Sequence, residues 1–447
     1  MLEPLRCDYR WASDRLHRFA LDGMAENSVR FAKLPVTYLP YVEPQRGAGR
    51  GLLEALAARA CVVITDEYPC FFLPQMVAAA AARLDVRLET VDGNGLLPLR
   101  AASSVSPTAY DFRRVLQKTL PIHLRALPLP EPLAGVELPS FGLDDLPLAL
   151  RERWPAASFT LLHDESDRST PAGRAAAAVA LAELPIDHAV GVVATRGGSA
   201  AAGAAVKDFL AHKLERYADE RSEPDADVAS GLSPWLHFGH VAAHAVFAAL
   251  ARQQGWSITK LGPRTDGKRE GFWGMSPQAE AFMDELVTWR ELGFNMAWQR
   301  PDFDAWESLP DWARATLDKH AGDQRERIYT LEQFTAAATH DPLWNAAQGQ
   351  LLAEGRIHNY LRMLWGKKVI EWTKSPQQAA QFLIELNNRW ALDGRDPNSY
   401  SGIFWCFGRY DRPWAPERSV FGTIRWMSSA NTARKFGLDG YLARYGG

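Results

Sequence analysis

The chain of 447 residues has only four cysteines, Cys7, Cys61, Cys70 and Cys406. Their spacing matches neither a metal cradle nor a disulfide framework, so a metal site and a disulfide-stapled fold are both excluded. No apolar run is long enough to cross a bilayer. The start, "MLEPLRCDYRW", lacks the basic region and apolar stretch of a secretory leader, which makes the cytoplasm the expected address. No internal repeat is visible. A glycine-rich phosphate cradle is missing too: "RGGSAAAGAA" (196–205) has the wrong glycine spacing and reads as a loop opening a helix.

What is present describes a globular protein with a large interior, 47% hydrophobic and 23% charged. The length calls for two domains and leaves room for three subdomains. Net charge is only −3, but it is unevenly spread. Residues 356–447 carry 14 Lys/Arg against 7 Asp/Glu, an excess of +7, which leaves −10 for residues 1–355. A basic C-terminal quarter is either a solvated face or the footprint of a protein that meets phosphates.

Residues 1–100 alternate strand-like and helix-like segments, within an α/β domain expected over 1–120. A possible strand at the first residues, "VTYLPYV" (36–42), "ACVVITDEY" (60–68) and "RLETVDG" (87–93) are short runs rich in β-branched and aromatic residues. Helical patterns occupy 11–32, 50–59 and 72–83, and the alternation predicts a parallel, Rossmann-like α/β domain. A tract punctuated by Pro121, Pro128, Pro130, Pro132, Pro139, Pro147 and Pro155 predicts a linker over 121–165. From 166 to 447 the pattern is helical, with "HAVGVVAT" (188–195) the one strand-like run.

Eleven of the sixteen tryptophans fall at or after Trp289. Within "IHNYLRMLWGKKVIEW" (357–372), Arg362, Trp365 and Trp372 lie at i, i+3 and i+10 and share roughly one helix face. That stripe is either a packed core or a redox relay. In "FMDELVTWREL", Glu285 and Trp289 are i,i+4, so a carboxylate stands beside an aromatic face able to stack a base; an acid next to a half-buried indole is the plainer reading. Asp393, in a polar turn, could pair with an arginine of a neighbouring helix, a costly arrangement that suggests a polar ligand in the core. Tyr217, Ser230 and Ser233 surround a helix start whose N–H groups and hydroxyls suit a pyrophosphate, or serve simply as a cap.

The motifs "SGLSPWLHFG", "DELVTWREL", "DPLWNAAQ", "NYLRMLWGKKVIEW", "LNNRWALDGRDPNSYSGIFW" and "VFGTIRWM" run in order over roughly 210–436, and together they resemble class II cyclobutane pyrimidine dimer photolyases. The resemblance implies an all-α C-terminal domain that binds FAD, fully reduced in its active state, and light-driven electron transfer to a pyrimidine dimer flipped out of UV-damaged DNA. It implies a tryptophan relay through Trp365, Trp344 and Trp372. It also implies flavin contacts from Arg362, Trp365, Asn387, Asp393 and Arg395, with phosphate-side contacts from Tyr217, Ser230, Gly231, Leu232 and Ser233. On the DNA side it implies a dimer pocket of Glu285, Trp289, Met363 and Trp405, with Arg412, Trp414 and Arg425 at the duplex. Two departures stand out. The first βα unit of such proteins has no counterpart, so no antenna chromophore is expected, and Tyr410 occupies a position where the family text has histidine. A monomer with no membrane partner is the expected state. A cryptochrome-like photoreceptor is the alternative function, and a cofactor-free helical DNA-binding protein a third.

Overall fold

The computed structural model describes residues 1–139, 141–164 and 166–446. Strand β1 (Leu2–Leu5) leads through α1 (Asp14–Phe31) to β2 (Leu39–Val42). After α2 (Leu52–Ala57), β3 (Val62–Asp66) leads through α3 (Leu73–Ala81) to β4 (Arg87–Val91). Each βαβ unit closes a parallel pair, Leu2↔Leu39 to Leu5↔Val42 and Val62↔Arg87 to Asp66↔Val91. The predicted parallel α/β character is therefore present, but as two separate two-stranded sheets.

Period-two alternation decides what covers β2. Leu39 and Tyr41 pack on Leu146, Leu150 and Trp154, whereas Val42 packs on Leu162, Ala177 and Leu181. The Pro-rich stretch thus lends its apolar residues to the sheet. Helix α4 (Ala109–His123) carries Pro121 in its last turn. Glu165, where the sequence reading ends the linker, lies outside the described residues.

The run 188–195 is not a strand. Val190, Val192 and Val193 are buried, and the Val190 carbonyl accepts from Arg15 N at 3.1 Å. These β-branched residues pack as a loop against α1, so their apolar character is spent on burial without a ladder. The "RGGS" turn opens helix Ser199–Asp208, as expected. Its amides are already taken: Gly197 N donates to Asp22, Gly198 N to His240 and Ala200 N to Glu26, at 2.8–2.9 Å.

The helical half includes α5 (Ser233–His237), α6 (Pro277–Met283), α7 (Arg290–Gln299), α8 (Asp311–Lys319), α9 (Pro342–Glu354), α10 (Asn359–Glu371), α11 (Pro376–Trp390) and α12 (Pro397–Trp405), with further helices such as Ala243–Gln253 and Ser429–Lys435 around them. One continuous core runs through it. Gly293 permits α7 and α12 to close: a Cβ there would meet Asn398 Cα at 2.9 Å. Arg15 of α1 ties the two halves, donating to the C-terminal carbonyls Leu351 and Leu352 of α9 and to Trp390 of α11. No helix among the described residues is long and apolar enough to cross a membrane.

Candidate flavin cleft, indole relay and DNA face

Helix α9 starts at Asp341, whose Oδ1 accepts from Leu343 N and Trp344 N at 3.0 Å, so the cap fixes the backbone of the first turn from which Trp344 projects. Helix α10 packs across it, bringing in Trp365. The Trp344 and Trp365 rings are 6.4 Å apart and 6° from parallel; Trp344 and Trp372 are 6.2 Å apart at 66°. The stripe seen along one helix is therefore bridged from a second, and the order in space is Trp365, Trp344, Trp372. All three are at most 4% exposed. Both inner indoles have their N–H satisfied, Trp344 by the Trp365 carbonyl and Trp365 by Gln348 Oε1, each at 3.0 Å. Gln348 escaped the sequence reading, although it lies one turn after Trp344 on α9.

Arg362, one turn before Trp365 on the same helix, reaches Asp393 at 3.4 Å to both carboxylate oxygens. This is longer than a tight guanidinium–carboxylate fork at ~2.8 Å, so neither partner is fully consumed by the other. Asp393 gets there because Gly394 allows the turn to press on the end of α11, where a Cβ would meet Asn387 O at 2.8 Å. Asn387 is buried and donates to Ser399 Oγ at 2.8 Å.

Tyr217, Ser230, Leu232, Ser233, Glu285, Asp393 and Ser399 line one cleft of about 120 Å³. Ser230 is shared with a neighbouring cavity of about 280 Å³ that also takes in Gly231, Lys213 and Arg356. Lys213 and Arg356 were not singled out from the sequence, where nothing distinguishes them from other surface cations. Helix α5, at whose start Ser233 sits, is only five residues long. Arg395 does not face the cleft: its guanidinium donates to Asn388 O at 2.8 Å and lies 3.4 Å from His237. The donor set fits an extended ligand with its phosphates near the hydroxyls of Ser230 and Ser233 and a hydrogen-bonding ring near Asn387 and the Arg362–Asp393 pair, while Lys213 and Arg356 are already paired with Asp208, Asp227 and Glu354.

Glu285 and Trp289 bracket a π-turn (Asp284–Trp289) that links α6 to α7, so the expected regular helix is widened there. Such turns recur at functional sites. Glu285 forms an ion pair with Arg221, another residue that no sequence pattern singles out. Burial raises the Glu285 carboxyl above its ordinary range despite Arg221.

Trp289, Met363 and Trp405 are half-buried against the same core. Beyond them the surface carries cations: Arg425 lies 5.9 Å from the Trp405 ring and 5.1 Å from Trp414, and Arg412 lies 4.9 Å from Trp414. Trp414 is held by its own N–H on Asp411 at 3.0 Å. Tyr410, at φ +63°, is buried with its hydroxyl 3.3 Å from Ser401.

No protein-family model matches the chain. The deoxyribodipyrimidine photo-lyase of Methanothermobacter thermautotrophicus is 30% identical over 441 residues, spanning 98% of this chain and 86% of that protein. The protein of the same name from Arabidopsis thaliana is 35% identical over 363 residues, 80% of this chain and 64% of its own length. A bacterial class III photolyase from Agrobacterium tumefaciens covers 99% of this chain and 80% of its own with a TM-score of 0.66; at 15% identity this is a likeness of fold alone.

Proposed function

The chain belongs to the deoxyribodipyrimidine photolyase family, and from that premise we propose that it is a class II enzyme which uses light to split cyclobutane pyrimidine dimers flipped out of DNA. The observation that carries the reading is one helix, α10, presenting Arg362 to Asp393, which lines the cleft, and Trp365 to Trp344, so that the helix connects cleft and indole relay. A bound, reduced flavin adenine dinucleotide supplies the electron that light drives into the dimer.

The chain's own residues bind, orient and stabilise. Ser230 and Ser233 take the phosphate side. Arg362, Asp393 and Asn387 orient the ring by hydrogen bonds. Glu285, whose carboxyl is raised above its ordinary range by burial and is held by Arg221, hydrogen-bonds a thymine that gains negative charge, which is electrostatic stabilisation of the reacting state. Trp289 and Trp405 stack on the extruded bases, and Met363 fills beside them. Arg425 and Arg412 meet phosphates at the emptied duplex. Extrusion of a dimer is cheaper than extrusion of a paired base because the lesion already disturbs its stack.

Purified protein, reduced and mixed with an oligonucleotide containing a cyclobutane thymine dimer, is expected to restore the thymines under blue light and not in the dark. Bound reduced flavin with no light-dependent restoration would reject the reading.

A further inference from the structure

The molecule contains two arrays of tryptophan with opposite electrostatic character. In the relay, indole touches indole: Trp365, Trp344 and Trp372 follow one another at 6.4 and 6.2 Å. Among the described residues the cation that lies over one of these rings, Lys368 at 5.4 Å from Trp372, is neutralised by Glu371 at 2.6 Å. On the DNA face, cation and indole alternate: Lys367, Trp405, Arg425, Trp414 and Arg412 follow at 5.6, 5.9, 5.1 and 4.9 Å. The inner end of that ladder is unusual. The Lys367 ammonium is fully buried and donates to the Cys406 carbonyl at 2.6 Å, with no described carboxylate paired to it. Burying an unpaired ammonium is expensive, and a methionine of similar length would fill the space without that cost.

Helix α10 explains how both arrays meet. Trp365 and Lys367 are two residues apart, hence about 200° around the axis at ~100° per residue. One side of the helix carries the relay and the other carries the cation beneath Trp405. A fixed positive charge near an indole opposes removal of an electron from it, and does so most strongly where water is excluded.

We propose that Lys367 is a positioning residue that makes Trp405 hard to oxidise, so that an electron drawn toward the flavin comes through Trp365 and its relay and not from the dimer-stacking indole. The inference rests on the flavin site proposed above. Without Lys367, the photoexcited oxidised flavin gains its electron from Trp405, and a thiol in solution returns one to the indole.

Two measurements test it. In the first, the purified protein is exposed to azide radicals, one-electron oxidants that become azide on taking an indole electron, and Trp405 oxidation is read by peptide mass spectrometry. Lys367→Met is expected to raise Trp405 oxidation by about tenfold relative to the parent chain, the scale of one nearby charge, while oxidation of Trp344 stays level. Lys367→Gln, which keeps a donor for the Cys406 carbonyl, is expected to act the same way and covers a folding failure of the first variant. Unchanged Trp405 oxidation in folded variants overturns the proposal, and this readout needs no flavin. In the second, the relay is cut with Trp365→Phe in the flavin-loaded protein, and blue-light bleaching of the flavin is followed with thiol present. Adding Lys367→Met is expected to restore bleaching severalfold, and further adding Trp405→Phe to abolish the gain. Raised Trp405 oxidation without restored bleaching overturns the routing role. A parent chain that never binds flavin overturns the proposed function instead, which the azide measurement would distinguish.

Discussion

Trp344 is the residue through which the relay stands or falls, because its ring meets those of both Trp365 and Trp372. Trp344→Phe is expected to slow light-driven reduction of the flavin far more than it slows repair by chemically reduced protein. Both rates can be followed on one preparation, and equal losses would take Trp344 out of any relay. Arg425 is exposed and flanked by two indoles, so it is poised for a phosphate. Arg425→Ala is expected to weaken binding of dimer-containing duplex and to make the slope of log affinity against log salt shallower by about 0.9, the share of one phosphate. Titrations at several salt concentrations read it directly, and an unchanged slope would remove Arg425 from the DNA face.

Among elements, α9 shows how an ordinary helix cap serves the site. Asp341 satisfies two amides of the first turn and also accepts from Ser429, so it anchors both Trp344 and the C-terminal segment. Asp341→Ala is expected to cost about 1 kcal/mol in urea unfolding. The pairing of indoles across α9 and α10 illustrates what a sequence discloses at this scale. Spacing along α10 revealed a stripe, yet Trp344 lies on another helix, and only the resemblance to a known family joined the three. Arg221, Gln348, Lys213 and Arg356 left no trace in the pattern, since a lone polar residue acquires meaning from what folds against it. The run 188–195 erred in the other direction. β-Branched residues favour strands and buried loops alike, and its placement against α1 decided between them.

Across the whole molecule, the Arg15 guanidinium helps join the α/β and helical halves. Arg15 is 3% exposed and donates to carbonyls at the ends of two helices, where the backbone has acceptors to spare. Arg15→Ala is expected to lower global stability by about 3 kcal/mol, since several buried carbonyls lose a charged donor at once; chemical denaturation checks it. Stability should also carry the mark of Lys367. Burial pushes its ammonium down to about 8 from its ordinary 10.5. Between about pH 8 and about 10.5 the unfolded chain holds a proton that the folded chain has lost, so stability attributable to this group rises with pH across that window. Lys367→Met is expected to flatten that rise, and urea midpoints at both ends of the window reveal it; a variant that kept the full slope would place its origin elsewhere.

By itself the sequence determined the order of βαβ units, the helical character of the second half, the concentration of indoles beside basic charge, and the residues that resemble a flavin and dimer site. These are properties of periodicity, composition and local text, which a chain carries before it folds. The tertiary structure alone decided that the strands form two parallel pairs, that Trp344 bridges two indoles of another helix, that Arg395 turns to the backbone, and that Lys367 lies beneath Trp405 without a salt-bridge partner among the described residues. Each of these depends on which side chain meets which across elements distant in sequence, and contact energies of that kind exist only once the chain is packed.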